Sequence, residues 1–318
     1  MTTTKAYDIL ASFGYTGTPV AMLTSAMTDL ATVRGGEVKL LSIFDLDGNI
    51  TDATATYHQV YCELFASLVC RRVEGAKAYS LDEFRTMYRS REGFAQLFFI
   101  DLQQEEGVMR ANDLRAFFEL KIRVLRQHDP NLDHVPTERA RALKEMMPHI
   151  HGIIVSNRWH THQVIANELA ACGLVTKDGN DALFDGNRMY FVGDGLTSTV
   201  KAKSDCYVEH FGGLICAQQR LGGYPFAVGD STSDAEAAYV AGIRDFGATL
   251  TGAADRETWR DFRRNHSGER MRLWIFDSIA DPTFVKRVIY YANQYDSRVA
   301  QVQEAVNCIL EQAALTHA

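Results

Sequence analysis

The sequence predicts an α/β chain: a doubly wound parallel sheet with an inserted α-helical cap domain. Two observations carry this. From residue 134 onward, short apolar runs alternate with segments of helical period, the pattern of strand–helix–strand units in a parallel sheet. A block from 52 to 133, helical in pattern throughout, separates the first apolar run from the second. The core is therefore of the Rossmann-like type, and the block between its first two strands reads as a cap.

Taken in order, residues 1–36 are mixed, carry some helix and end in the loop-like "RGGE". "KLLSIF", 39–44, is the first strand. "TYHQVYCELFASLVCRRV" and "ANDLRAFFELKIRVLRQH" place apolar residues at three- and four-residue steps. "SLDEF", 80–84, offers Ser80 as a helix N-cap with acids in the first turn. Two prolines in "DPNLDHVPTERA" then end the helical block. Next come a helix at 136–147, the strand "GIIVSN", a helix at 161–172, the strand "RMYFVGD", a helix from 204 to about 220, the strand "YPFAVGDS" and the helix "DAEAAYVAG". Strands at 245–250 and 273–278 follow. The long amphipathic segment from 281 to the end reads as one helix, packed on the core or on a partner chain. The expected organisation is an N-terminal extension (1–36), a core (37–51 and 134–280), a cap (52–133) and a C-terminal helix (281–318).

Composition is that of an ordinary globular protein, 46% hydrophobic and 23% charged over 318 residues. A net charge of −7 argues against a nucleic-acid binder, which needs a basic footprint. The arginines of "RETWRDFRRNHSGERMR" are interleaved with acids and read as a solvated face. Six cysteines, at 62, 70, 172, 206, 216 and 308, form neither a CxxC pair nor a zinc-spaced cluster. No stretch reaches the roughly 18 apolar residues of a membrane span. The first 30 residues lack the basic start and apolar core of a signal peptide. The expectation is a cytoplasmic protein with no membrane or nucleic-acid partner.

The chemistry lies where strands end, since an open parallel sheet binds ligands outside the carboxyl ends of its strands. "DLDGN" follows the first strand, "SN" the second and "GDSTSD" a later one, while "TVKAKSD" brings lysines. Together they supply Asp45, Asp47, Asp230 and Asp234, the hydroxyl of Ser156, and Lys201 or Lys203. Carboxylates that converge repel one another unless a cation joins them. An oxygen-only set suits Mg²⁺, which keeps waters and takes phosphate oxygens as further ligands. "FVGDG", 191–195, mimics the acidic motif but has Ser198 where an acid would stand, so it reads as a turn. His149, His151, His160 and His162 flank a strand rather than share a helical face, and read as surface or supporting residues.

"FDLDGNITD", "IIVSN", the lysine loop and "AVGDSTSD", in that order, resemble the four motifs of the haloacid dehalogenase-like hydrolases. The resemblance covers the core and not the two termini. It implies a phosphatase-type member acting on a small phosphorylated metabolite. Asp45 would be the nucleophile that forms an aspartyl-phosphate. Asp47 would protonate the leaving oxygen and then activate water. Ser156 and Asn157 would bind the phosphoryl group. The catalytic lysine would be Lys201, preferred for the spacing of "KAKSDCYV", with Lys203 as the alternative. Mg²⁺ would be held by Asp45, the Asp47 carbonyl, Asp230 and Asp234. The second aspartate favours phosphoryl over dehalogenase chemistry. Asn49 departs from the usual Thr or Val but still offers a donor. A phosphomutase or phosphotransferase, and a member that only binds, are the alternatives.

Overall fold

The computed structural model describes residues 1–88, 91–100, 105–129, 133–158, 170, 188–193, 198–252, 254–266 and 271–316. Six strands form one parallel sheet: β1 (Leu40–Phe44), β2 (Ile150–Ser156), β3 (Met189–Phe191), β4 (Phe226–Gly229), β5 (Asp245–Thr249) and β6 (Arg272–Phe276), in the order β3-β2-β1-β4-β5-β6. β1 is central, paired with β2 on one side and β4 on the other. The chain winds outward from β1 in one direction and then returns to build the other half. The crevice at that reversal lies beyond the carboxyl ends of β1 and β4, the general ligand site of such sheets.

All five residues of β1 are buried, which is why the run is continuously apolar rather than alternating. Successive side chains enter opposite layers. Leu40 and Phe44 join a core built with α1 (Thr3–Ser12), α2 (Pro19–Thr32), α7 (Thr137–Met146) and the 35-residue C-terminal helix (Pro282–Thr316). Leu41 and Ile43 join the other, formed by the helices Thr199–Arg220 (α8), Thr232–Val240 (α9) and Arg256–Asn265 (α10). The C-terminal helix thus packs on the sheet through Phe284, Val288, Ala292, Tyr295, Val299 and Val302. In α10 the arginines of the charged run face out, while Trp259 and Phe262 are buried.

Between β1 and β2, α3 (Thr54–Leu68), α4 (Leu81–Met87), α5 (Arg91–Leu97) and α6 (Glu105–His128) gather around their own cluster, which includes Tyr61, Phe65, Phe84, Phe94 and Phe118. Ser80 caps α4 through a reciprocal pair with Glu83, as its position in the sequence implies. The entering and leaving strands of this insertion touch: Asp52 N donates to His134 O at 2.8 Å.

Helix α8 begins at Thr199, five residues before the expected start, because Ser198 serves as N-cap and accepts the Lys201 amide at 3.4 Å. Most of the helix expected at 161–172, with His160, His162 and Asp194, lies outside the described residues.

The N-terminal helices are fastened to α8 by a buried charge. Asp29, 1% exposed, accepts Arg220 Nε at 2.7 Å, Arg220 Nη2 at 2.5 Å and the Tyr15 hydroxyl at 3.0 Å. Removing Arg220 leaves a buried carboxylate with one neutral donor. Arg220→Ala is expected to cost about 2–4 kcal/mol in urea unfolding at neutral pH. Arg256→Ala, which breaks an exposed pair with Asp277, should cost less than about 1 kcal/mol. Equal, small losses from both would show that the Asp29 contact does not hold the N-terminal segment.

Candidate active site

Asp45 follows the last residue of β1, and its amide donates to Val228 O of β4 at 2.8 Å. Ser156 is the last residue of β2 and Asp230 follows β4, so three adjacent strand ends converge on one crevice. Asp234 sits in the first turn of α9. The crevice is a cavity of about 430 Å³, walled below by these strand ends and above by α3, α4 and α6.

Lys203 crosses into this site from α8. Its Nζ donates to Asp45 Oδ1 at 2.6 Å and to Asp234 Oδ1 at 2.5 Å, and it is 2% exposed. Lys201 points elsewhere, in an exposed ion pair with Asp205 one turn on. The structure thus brings Lys203, the alternative, into the crevice and not Lys201, which the sequence spacing preferred. Residues two apart on a helix diverge by about 200°, so only one lysine can face the crevice, and the Ser198 cap sets the phase that selects Lys203.

Lys203 is held charged. Burial works against the ammonium, but Asp234 and Asp45 raise its pKa well above the ordinary lysine value. Asp45 is pushed well above the usual carboxylate range, by burial first and then by Asp234 and Asp230, with Lys203 opposing. Oxygens of Asp45, Asp230 and Asp234 lie within 4.8 Å of one another. Ionised together, the three carboxyl groups would exceed the one ammonium by two negative charges, which fits a hard divalent cation bound by oxygen.

The backbone is shaped to admit this crowd. Gly48 has φ +76°, and a Cβ there or at Gly252 would run into the Asp230 carboxylate. Asn49, fully buried, donates Nδ2 to Asp45 O (3.1 Å) and accepts Thr249 Oγ1 (3.3 Å), so the unusual residue ties the loop after Asp45 to β5. Arg139 of α7 donates Nη1 to the carbonyls of Gly48, Asn49 and Thr51 at 3.1–3.3 Å. Ser156 is 1% exposed and lines the cavity. Asn157 also lines it, with Nδ2 donating to Thr199 Oγ1 at 2.8 Å, which joins the end of β2 to the start of α8. His149 and His151 stand at the start of β2, away from these strand ends.

Asp47 has partners that the sequence did not announce. Arg158 donates Nε to its Oδ2 at 2.9 Å and Nη2 to its Oδ1 at 2.5 Å, and Arg126 of α6 donates Nη2 to Oδ1 at 3.0 Å. Both arginines also hold Asp133, Arg126 through Nε at 2.7 Å and Arg158 through Nη2 at 2.9 Å. Asp133 in turn accepts Thr56 Oγ1 at 2.7 Å. Burial would raise the Asp47 pKa, but the two guanidiniums hold it well below the usual carboxylate range. Arg158 directly follows the "SN" of β2, and its position was the available signal. Arg126 shares a face of α6 with Glu119, Ile122 and Arg123, all lining the cavity. That face is polar where a packing face would be apolar.

No family model matches the chain, and no curated protein does. It is similar to several solved structures. One is a haloacid dehalogenase-like family hydrolase from Streptococcus pneumoniae, with 13% identity, 80% of this chain, 98% of that chain and a TM-score of 0.47. Another is a hydrolase of family IA, variant 3, from Entamoeba histolytica (14%, 79%, 99%, 0.45). A third is a family hydrolase from Deinococcus radiodurans with bound phosphate and sodium (18%, 76%, 92%, 0.43). Similarity at this level carries no chemistry, which stands on the side chains gathered around Asp45.

Proposed function

We propose that this protein is a Mg²⁺-dependent phosphohydrolase that cleaves a small phosphorylated metabolite through an aspartyl-phosphate. The observation that carries this reading is the Asp45 carboxylate at the end of the central strand. It is held by Lys203 at 2.6 Å inside a closed cluster of acids and faces a cavity sized for a small molecule.

Lys203 orients Asp45 and neutralises charge as an Asp45 oxygen forms its bond to phosphorus and the ester oxygen departs. Ser156, at the neighbouring strand end, donates its hydroxyl to a phosphoryl oxygen. Asp47, kept as a carboxylate by Arg126 and Arg158, is in the form that accepts a proton from the water attacking the aspartyl-phosphate. That attack releases inorganic phosphate and restores Asp45. Protonation of the leaving oxygen, the other half of the Asp47 role, requires that the arginines yield part of their hold on it. Asp45 and Asp230 are the direct ligands of the divalent cation in this reading. Asp234 is already engaged on both sides, by Lys203 and by the Ser231 hydroxyl at 2.7 Å, and fixes the lysine. When bound, the cation shields the attacking carboxylate and the phosphoryl oxygens from each other's charge.

Phosphate release is therefore expected to stop in EDTA and return with Mg²⁺, with Ca²⁺ restoring little because its looser geometry suits in-line attack poorly. Full activity in EDTA would remove the metal from the reading. Asp45→Asn should abolish turnover and covalent labelling by a radioactive phosphoester. Asp47→Asn should slow alkyl phosphates by on the order of 10²- to 10⁴-fold and aryl phosphates less, since a good leaving group needs no proton. Near-normal turnover by Asp45→Asn would sink the mechanism.

The lysines separate in the same assay. Lys203→Ala is expected to lower kcat by about two orders of magnitude or more, the scale of one preorganised charge contact, with the fold checked by circular dichroism. Lys201→Ala should stay within a few-fold of the parent. If Lys201→Ala were the damaging change, the placement of Lys203 would not be the one used in catalysis.

A further inference from the structure

We infer that the substrate carries a second anionic group, a carboxylate in the first instance, close to its ester oxygen, and that Arg126, Arg158 and Arg123 receive it. The inference rests on the phosphoester reading above and concerns the half of the molecule that leaves.

The structure already shows what Arg126 and Arg158 bind. Their guanidiniums, each less than about 7% exposed, stand together and hold a carboxylate, that of Asp47, with Arg158 engaging both of its oxygens. Paired donors in fixed fork geometry suit a planar carboxylate or a phosphate and little else. Asp47 in the proposed mechanism works at the leaving oxygen. Whatever is attached to that oxygen therefore comes within a few ångströms of two guanidiniums.

The wall beyond them extends the same character. Arg123 lies three residues before Arg126 on the same face of α6, and Arg85 of α4 faces the same space. The acids on this side are Asp47, Glu119, Asp133 behind the guanidiniums, and Asp52 at 4.0 Å from Arg85. Glu119 is engaged with the Tyr88 hydroxyl at 3.0 Å. The aromatic faces of Tyr57 and Tyr88 close the sides, and Arg126 lies 5.6 Å from the Tyr57 ring centroid. With a neutral polyol in this position the guanidiniums stay on Asp47, and keep it from the ester oxygen, for want of a competing anion. A carboxylated leaving group supplies one. It also takes over donors that Asp47 now occupies, which frees an Asp47 oxygen to turn to the ester. Asp47 is thus a placeholder in a carboxylate site.

Matched pairs test this. Purified enzyme with Mg²⁺ is assayed for phosphate release from 3-phosphoglycerate against glycerol 3-phosphate, and from O-phosphoserine against O-phosphoethanolamine. Ethylene glycol bisphosphate against ethylene glycol monophosphate forms the bisphosphate arm. The acidic member is expected to have kcat/KM at least about tenfold higher, mostly through KM, as when a site built for a polar group rejects the analogue that lacks it. Arg123→Met should cut that ratio about tenfold or more. Preference confined to the bisphosphate arm would support a second anion and identify it as phosphate. Equal or better turnover of the neutral members would overturn the inference and leave the phosphohydrolase standing. Release from no member of any pair would overturn the phosphohydrolase reading itself, and this inference with it.

Discussion

One ammonium buried among three carboxylates is the constraint on which the rest of the structure depends. Lys203 sits between Asp45 and Asp234 with almost no access to water, and Asp230 is within reach of both acids. Each buried ion costs several kcal/mol in desolvation unless its neighbours replace water well. The replacement here is geometric. The four groups come from β1, α8, α9 and the end of β4, elements already fixed by the two hydrophobic layers on either side of the sheet. Because the strand ends cannot move apart, the carboxylates cannot relieve their repulsion by spreading. Three carboxyl groups crowded around one ammonium under those conditions form a cluster that could hold a divalent cation.

Several residues that do no chemistry are explained by that crowding. Gly48 and Gly252 flank Asp230 because any side chain would displace its carboxylate. Asn49 spends its amide on the Asp45 carbonyl and accepts from Thr249, so the loop after Asp45 is tied across β1, β4 and β5. Arg139 collects three carbonyls of the turn that leads to α3. These contacts hold the backbone rather than the side chains, leaving the carboxylates with few ways to reorient.

Much of this was legible in the sequence, and the failures have physical causes. The run Leu40–Phe44 could only be a strand buried on both faces, and "DLDG", "SN" and "GDSTSD" fell at strand ends because each followed such a run. Lys201 was preferred over Lys203 because the helix start was placed near Ser204. Ser198 caps the helix five residues earlier, and that phase sends Lys203 inward and Lys201 to solvent. The partners of Asp47 were invisible for a different reason. Arg126 lies 79 residues from Asp47 and Arg158 lies 111 away. Helical period reports that a face exists; it does not report which distant loop the face covers.

The Asp47 contacts also give the insertion a reason to be where it is. Arg126 comes from α6 and Arg158 from the end of β2, and both meet at Asp133, on the chain returning from the helices to the core. Thr56, at the start of the outgoing helix α3, bonds the same Asp133. One buried carboxylate therefore joins the way into the insertion, the way out of it, the last long helix and the strand end beside Asp45. A cap attached elsewhere in the chain would cover the cavity equally well. One inserted directly after β1 brings both of its linkers within reach of Asp47, so that its position over the cavity and the partners of that carboxylate are set by the same bonds.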